Sequence, residues 1–164
     1  MCMQRIGVLS DTHLSGADKR LDDIVARHFA GIELVVHAGD MVSLHVLDGL
    51  YAAGKEIIAV SGNMDQREVE YAFPPKRILE VEEIRIGIIH GWGAPSGIRQ
   101  RIRESFERVD AIIYGHTHQP FCGLENGIFF FNPGSPMDSR FTSMHSVGII
   151  RIDDTKIQGE IITV

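Results

Sequence analysis

Five short apolar runs in this chain each stop on a residue that binds cations or protons. IGVLS (6–10) runs into Asp11-Thr12-His13, and LVVHA (34–38) into Gly39-Asp40. IIAVS (57–61) runs into Gly62-Asn63-Met64-Asp65, IGII (86–89) into His90-Gly91, and AIIY (111–114) into Gly115-His116-Thr117-His118. Runs this short, rich in Ile and Val and closed by turn residues, read as buried strands rather than helices. Amphipathic stretches separate the first three. KRLDDIVARHFAG places Leu21, Ile24, Val25, His28 and Phe29 on one helical face, with Gly31 as its stop. Ser43 is placed to cap a second helix carrying Leu44, Leu47, Leu50 and Tyr51 and ending at Gly54. A βαβαβ opening of this kind implies parallel strands joined by crossovers.

Beyond residue 70 the rhythm changes. RILEVEEIRIGIIHG (77–91) predicts a hairpin with a tight acidic turn. Ile98, Ile102, Phe106 and Val109 predict a helix, and DAIIYGHTH (110–118) another strand. PFCGLENGIFFFNPGS carries a Glu-Asn-Gly turn between two strands, and a closing hairpin turns at Asp153–Lys156. GIFFF is a core or interface strand. Parallel and antiparallel strands together imply a mixed α/β layered fold. The expectation is two mixed β-sheets flanked by helices, a four-layer α-β-β-α sandwich, in a single domain over 1–164.

Such a domain is affordable at 164 residues with 44% hydrophobic and 23% charged side chains. The net charge of −6 argues against a stable nucleic-acid complex, which wants clustered Lys and Arg. A nuclease stays open, because a bound metal supplies positive charge locally. Cys2 and Cys122 make no disulfide framework. No signal-like stretch precedes Asp11, and no run reaches membrane-spanning length. A reducing, cytoplasmic setting without membrane contact is therefore expected. The sequence leaves the oligomeric state open.

In open α/β folds the carboxyl ends of parallel strands form the ligand crevice, so the residues ending the five runs should converge. Asp11, Asp40, Asn63, His13, His90, His116 and His118 offer oxygen and nitrogen donors and no thiolate. Such a set suits Mn, Fe or Zn. Seven side chains exceed one tetrahedral site and suit two neighbouring ions, a pair that ~3.5–4 Å apart can clamp an in-line displacement at phosphorus. In an extended segment i and i+2 point the same way, so Asp11 and His13 reach one ion together, and His116 and His118 emerge on one side. Gly39, Gly62 and Gly115 would let the chain bend at the strand exits.

Taken in order, D-x-H, G-D, G-N-x-D, H-G and G-H-T-H resemble the calcineurin-like metallophosphoesterase superfamily. The short chain most resembles the small single-domain bacterial and archaeal phosphodiesterase branch. The likeness runs from Ile6 to about Arg140 and includes NPGSPMDSR. It implies one metal held by Asp11, His13 and His118, and another by Asn63, His90 and His116, with Asp40 bridging. The implied cofactors are two divalent ions, Mn first, with Fe, Ni or Zn as alternatives. The implied reaction is hydrolysis of a small phosphodiester by a metal-bound hydroxide. Asn63 and His90 would serve catalysis, and Asn63 would contact the phosphate; Arg140 reads as either a surface residue or a phosphate clamp. Met64 departs from the pattern: much of the superfamily has there a histidine thought to protonate the leaving group, and a thioether has no proton to give. The same branch resembles a eukaryotic retromer subunit, so a non-catalytic metal-binding scaffold is the competing expectation.

Other positions have plainer readings. Asp65 is either a turn cap or part of the site. His37 reads as a packed support, His28 and His45 as surface or edge residues, and His145 as a loop residue. Met64 and Trp92 read as rim or packing residues, Gly134-Ser135 as a turn rather than a phosphate nest, and RQRIRESFER as a solvated helix face.

Overall fold

The structure, a computed structural model, describes residues 3–164; Cys2 lies outside the described residues. Two five-stranded sheets carry the chain. The first contains β1 (Gln4–Leu9), β2 (Leu34–His37), β3 (Glu56–Ala59), β9 (Ser146–Asp153) and β10 (Lys156–Thr163), ordered β10-β9-β1-β2-β3. The second contains β4 (Lys76–Val81), β5 (Ile84–Ile89), β6 (Ala111–Ile113), β7 (Phe121–Glu125) and β8 (Ile128–Asn132), ordered β4-β5-β6-β8-β7. In each sheet three neighbouring strands run parallel (β1-β2-β3 and β5-β6-β8) and the hairpins add antiparallel strands beside them. Both sheets are therefore mixed, as expected.

Their faces explain the unbroken apolar runs. Ile6 and Val8 of β1, Val36 of β2, Ile86 and Ile88 of β5 and Phe131 of β8 pack between the sheets. The alternate residues Leu9 and Val35 face α1 (Lys19–His28) and α2 (Asp48–Ala52). Ile89, Ile112 and Phe130 face α4 (Ile98–Arg103). A strand buried on both faces has no polar alternation to show. The order is helices, sheet, sheet, helix, the expected four-layer sandwich. GIFFF is core: every residue of Ile128–Asn132 is buried.

The sheets approach closely where Phe131 meets Gly148 and Gly159 from the opposite sheet; a Cβ at Gly159 would sit 2.6 Å from the Phe131 ring. Ring and missing side chain are complementary volumes.

Several elements differ from expectation. Ser43 does cap, its Oγ accepting from His45 N–H at 3.3 Å, but the segment begins as a 3-10 turn (Leu44–Leu47) before α2, and Tyr51 points to solvent. α4 ends at Arg103, because the amides of Ser105 and Phe106 bond three residues back and tighten the chain. Phe106 and Val109 still join the same core from that turn. β6 covers only three residues of the strand expected over 110–118. The short α3 (Arg67–Ala72) buries only Val69 and gives no periodic signal. Among the described residues no helix is long and apolar enough to cross a membrane.

Candidate metal centre

The ends of β1, β2, β3, β5 and β6 meet at one rim of the two sheets. Backbone bonds continue past the strands and lace the exits together: Asp11 N to Gly39 O and His13 N to Asp40 O, both 3.0 Å, and Gly115 N to His90 O, 3.1 Å. The segments themselves are not extended. Asp11, His13, Asp40, His116 and His118 all have positive φ, between 48° and 70°. Asp11 and His13 thus converge because the chain coils left-handedly there, not because i and i+2 alternate along a strand. Five non-glycine residues held in that sparsely populated region mark local strain fixed by the surroundings.

Two of the three exit glycines are needed for space rather than bending. Only Gly39 has positive φ, at 95°. A Cβ at Gly62 would run into the Asp40 carboxylate, and one at Gly115 into Ser10 and Asp11.

Each carboxylate is anchored by one oxygen and presents the other. Asp11 Oδ2 accepts from Ser10 Oγ–H (2.6 Å) and from His116 N–H (3.0 Å). Its Oδ1 is buried with no hydrogen-bond partner. Around that atom stand His118 Nε2 at 3.3 Å, His13 Nε2 at 3.7 Å and His90 Nε2 at 3.8 Å. Asp40 Oδ1 accepts from Met64 N–H (2.8 Å), while Oδ2 faces His90 Nε2 at 3.1 Å and His13 Nε2 at 3.7 Å. His90 Nδ1–H donates to the Ala38 carbonyl (2.8 Å). Its buried Nε2, close to two carboxylates, makes no in-line hydrogen bond to either.

Two compact donor groups result, Asp11/His13/His118 and Asp11/Asp40/His90, each with its atoms within 4.8 Å of one another. Asp11 is common to both. Asn63 and His116 stand beside them, His116 Nδ1 lying 3.2 Å from Asn63 Oδ1. His116 Nε2–H donates to the Gly93 carbonyl (2.8 Å), which turns the lone pair on Nδ1 toward the Asn63 oxygen, two acceptors facing one another as ligands of one cation would. Buried acceptors without donors, beside imidazoles whose other nitrogen is bonded to backbone, fit cations.

Electrostatics agree. Burial opposes the charge of Asp11, but His118, His13, His90 and Ser10 together hold its carboxyl far below the usual range. Burial likewise opposes ionisation of Asp40, and His90 and Met64 N–H overcome it. His37 is a support, as expected: it is buried, its Nδ1 accepts from Gly39 N–H (3.2 Å), and its Nε2 faces Thr12 Oγ1 (3.1 Å).

Asp65 neither caps α3 nor joins the donor groups. Its carboxylate takes the N–H groups of Val42 (2.6 Å), Gly62 (2.7 Å) and Asp40 (3.1 Å), fixing the turns around the site. Gly134 lies in a turn, its N–H bonded to Asn132 Oδ1 at 2.9 Å. A cleft of about 390 Å³ opens over the centre, with Met64, Arg140 and Phe141 on its walls. Trp92 is exposed near Asn63 and His90 and lines a separate hollow.

Sequence reasoning missed Asp138, whose Oδ2 is 3.1 Å from His118 Nδ1. It also missed Ser10 and Phe141, the latter edge-on to the His118 ring at 5.0 Å between centroids. The run NPGSPMDSR contains Asp138, but nothing in its spacing separates that residue from a turn aspartate.

Residues 4–155 match the family model of the calcineurin-like phosphoesterase superfamily domain. A probable metallophosphoesterase of Methanothermobacter thermautotrophicus is 39% identical over 159 residues, 96% of this chain and 91% of that protein. A phosphodiesterase of Methanocaldococcus jannaschii is 28% identical over 89% of this chain and 92% of its own length. The structure of wild-type Vps29 of Entamoeba histolytica complexed with Zn²⁺ superposes with a TM-score of 0.74 at 22% identity, covering 98% of this chain and 99% of that one; it shows the same fold. By its ordered strand-end motifs, its paired mixed sheets and its match over nearly the whole length, this chain belongs to the calcineurin-like phosphoesterase superfamily.

Proposed function

We propose that the protein is a single-domain, dinuclear metal-dependent phosphodiesterase. The observation that carries the reading is the pair of buried, unpaired atoms Asp11 Oδ1 and His90 Nε2, facing each other from different sheets across 3.8 Å. Asp11, His13 and His118 would hold one ion and Asn63, His90 and His116 the other, with Asp40, and by proximity Asp11, between them. Two divalent ions held there would acidify a water and neutralise charge on the phosphate. Mn²⁺ is the first choice, with Fe, Ni or Zn compatible with the same donors.

The chain's own residues do the positioning. Ser10 and the His116 amide orient Asp11, Ala38 O orients His90, and Gly93 O orients His116. The Asn63 amide and the Arg140 guanidinium line the cleft where a phosphodiester would lie. The likeness to a phosphodiesterase of Methanocaldococcus jannaschii supports diester over monoester chemistry. A reducing, cytoplasmic setting accompanies this reading.

The competing reading, a metal-binding scaffold, rests on the fold shared with Vps29. One experiment separates them: elemental analysis of the purified protein, then turnover of bis(p-nitrophenyl) phosphate with added Mn²⁺. Two equivalents of metal and turnover that Asp40→Ala or His90→Ala abolishes are expected. Metal uptake without hydrolysis of any ester overturns the enzyme reading.

A further inference from the structure

Asp138 lies outside every motif that marks the candidate ligands, yet it is buried between His118 and Arg140. Its Oδ2 stands 3.1 Å from His118 Nδ1 and 4.0 Å from His13 Nε2. From the opposite side Arg140 grips it: Nε–H donates to Oδ1 at 2.9 Å, Nη2–H to Oδ2 at 2.9 Å, and the Arg140 backbone N–H to Oδ1 at 3.1 Å. The Asp138 amide donates to Ser135 Oγ (3.0 Å), and that hydroxyl donates to the carbonyl of Asp11 (2.7 Å). The loop bearing Asp138 is thereby fastened to the strand exit that bears a candidate metal ligand.

We propose that Asp138 is the positioning residue for His118, and that Arg140 locks it in place. An imidazole that binds a cation must be neutral, with its lone pair on the ligating nitrogen and its proton on the other. His118 Nε2 is the nitrogen turned to Asp11 Oδ1, so Nδ1 must carry the proton and needs an acceptor. Asp138 Oδ2 stands at hydrogen-bond distance. The N–H direction falls short of in-line, so the buried Nδ1 makes no hydrogen bond here. The His118 ring leans instead toward His13, Nε2 to Nε2 at 3.1 Å, a contact that an ion held by both rings would replace. A carboxylate behind a ligating histidine fixes the tautomer and raises ligand basicity, and its loss costs roughly 10–100-fold in metal affinity. Arg140 then has two duties: Nε and Nη2 are committed to Asp138, while the side chain lines the cleft.

The inference rests on the dinuclear reading, and its test distinguishes the two. Full-length protein is stripped with chelator and titrated calorimetrically with Mn²⁺, as wild type, D138N and D138A. The tautomer of His118 is read in each by long-range ¹⁵N–¹H correlation, with diamagnetic Zn²⁺ in place of Mn²⁺. Wild type should bind two ions, with His118 protonated at Nδ1. D138A should weaken one ion roughly 10–100-fold, leave the other unchanged and scramble the tautomer. D138N should fall between, its amide oxygen being a neutral acceptor of nearly the same shape; this variant decides the matter should D138A fail to fold. A purely structural loop residue would lower the melting temperature without selecting one ion or shifting the tautomer. Wild type that takes up no Mn²⁺ overturns the dinuclear reading. Wild type that binds two ions while the variants bind both equally well overturns the role of Asp138 alone.

Discussion

His90 Nε2 stands 3.1 Å from Asp40 Oδ2, although the two residues leave strands of different sheets. The arrangement is set by two residues of backbone. His90 Nδ1–H is held by the carbonyl of Ala38, and Asp40 follows two positions later on the same segment. One strand exit of the first sheet therefore fixes both the orientation of the ring and the carboxylate it faces. The rim of the sandwich is a joint between sheets, and the candidate centre is built into that joint.

Metal uptake should release a proton from His90. Burial works against a charged ring there, but the Asp40 and Asp11 carboxylates outweigh it and push the pKa up to about 9. Chelator-stripped protein should therefore hold this ring toward its protonated form, and a ligating ring must be neutral. Apparent affinity for the ion next to His90 should fall roughly tenfold per pH unit below about pH 9, as expected for one competing proton. Calorimetric titration of Mn²⁺ in buffers of different ionisation enthalpy measures the proton directly. A binding heat independent of buffer would refute this.

Asp65→Ala should destabilise the fold and loosen the site together. The Asp65 carboxylate satisfies three N–H groups and holds Val42, a β-branched residue, at φ 82°. Leaving buried donors unpaired costs about 1–3 kcal/mol each, less where water enters. The thermal midpoint should drop by several degrees, and Mn²⁺ affinity with it, although Asp65 is no ligand. Asp65→Asn, which keeps one acceptor oxygen, should fall between wild type and the alanine variant. A midpoint unmoved by Asp65→Ala would show that the turns stand without it.

Much of this was legible in the residues, and the reasons are physical. Strands buried on both faces leave apolar runs with abrupt ends, so β1, β2, β3, β5 and β6 and the polar residues after them stand out. Asn126 and Gly127, at φ 49° and 78°, turn the hairpin their sequence announces. The misses are local. α4 stops at Arg103 because a short 3-10 turn buries Phe106 as well as another helical turn would, and hydrophobic spacing does not separate the two. α3 has one buried residue and so no period. Asp138 was invisible because its role is defined by His118 and Arg140, a relation of space rather than spacing.

Acid should cost the fold stability through His37. Burial holds its pKa down to about 4, against 6.5 in an exposed chain. Above pH 6.5 the ring is neutral folded or unfolded, and stability is unaffected. Below 6.5 the unfolded chain takes up a proton that the folded protein refuses until about pH 4, so stability falls with pH across that window. The loss amounts to roughly 3 kcal/mol at the acid end. Urea melts of chelator-stripped protein between pH 7 and 4 measure it. His37→Gln should be less stable at pH 7 and should show a shallower slope; an unchanged slope would place the acid sensitivity elsewhere.

The absence of a proton donor at Met64 should be readable in the choice of leaving group. Met64 is half exposed on the wall of the cleft, and its backbone N–H donates to Asp40 Oδ1. Replacing it with histidine keeps that bond and places an imidazole over the cleft. A leaving aryloxide such as p-nitrophenolate is stable without a proton, and an alkoxide is not. Wild-type rates with Mn²⁺ should therefore fall steeply along a series of diesters of rising leaving-group pKa. Met64→His should leave the p-nitrophenyl rate unchanged and raise the poorest substrates by up to roughly 10²-fold, the lower end of what a positioned acid contributes. The slope of log kcat/KM against leaving-group pKa is the measurement. Wild-type rates flat across the series would mean that the proton already comes from another residue at this site; equal slopes for both proteins would mean that a side chain at position 64 does not reach the departing oxygen.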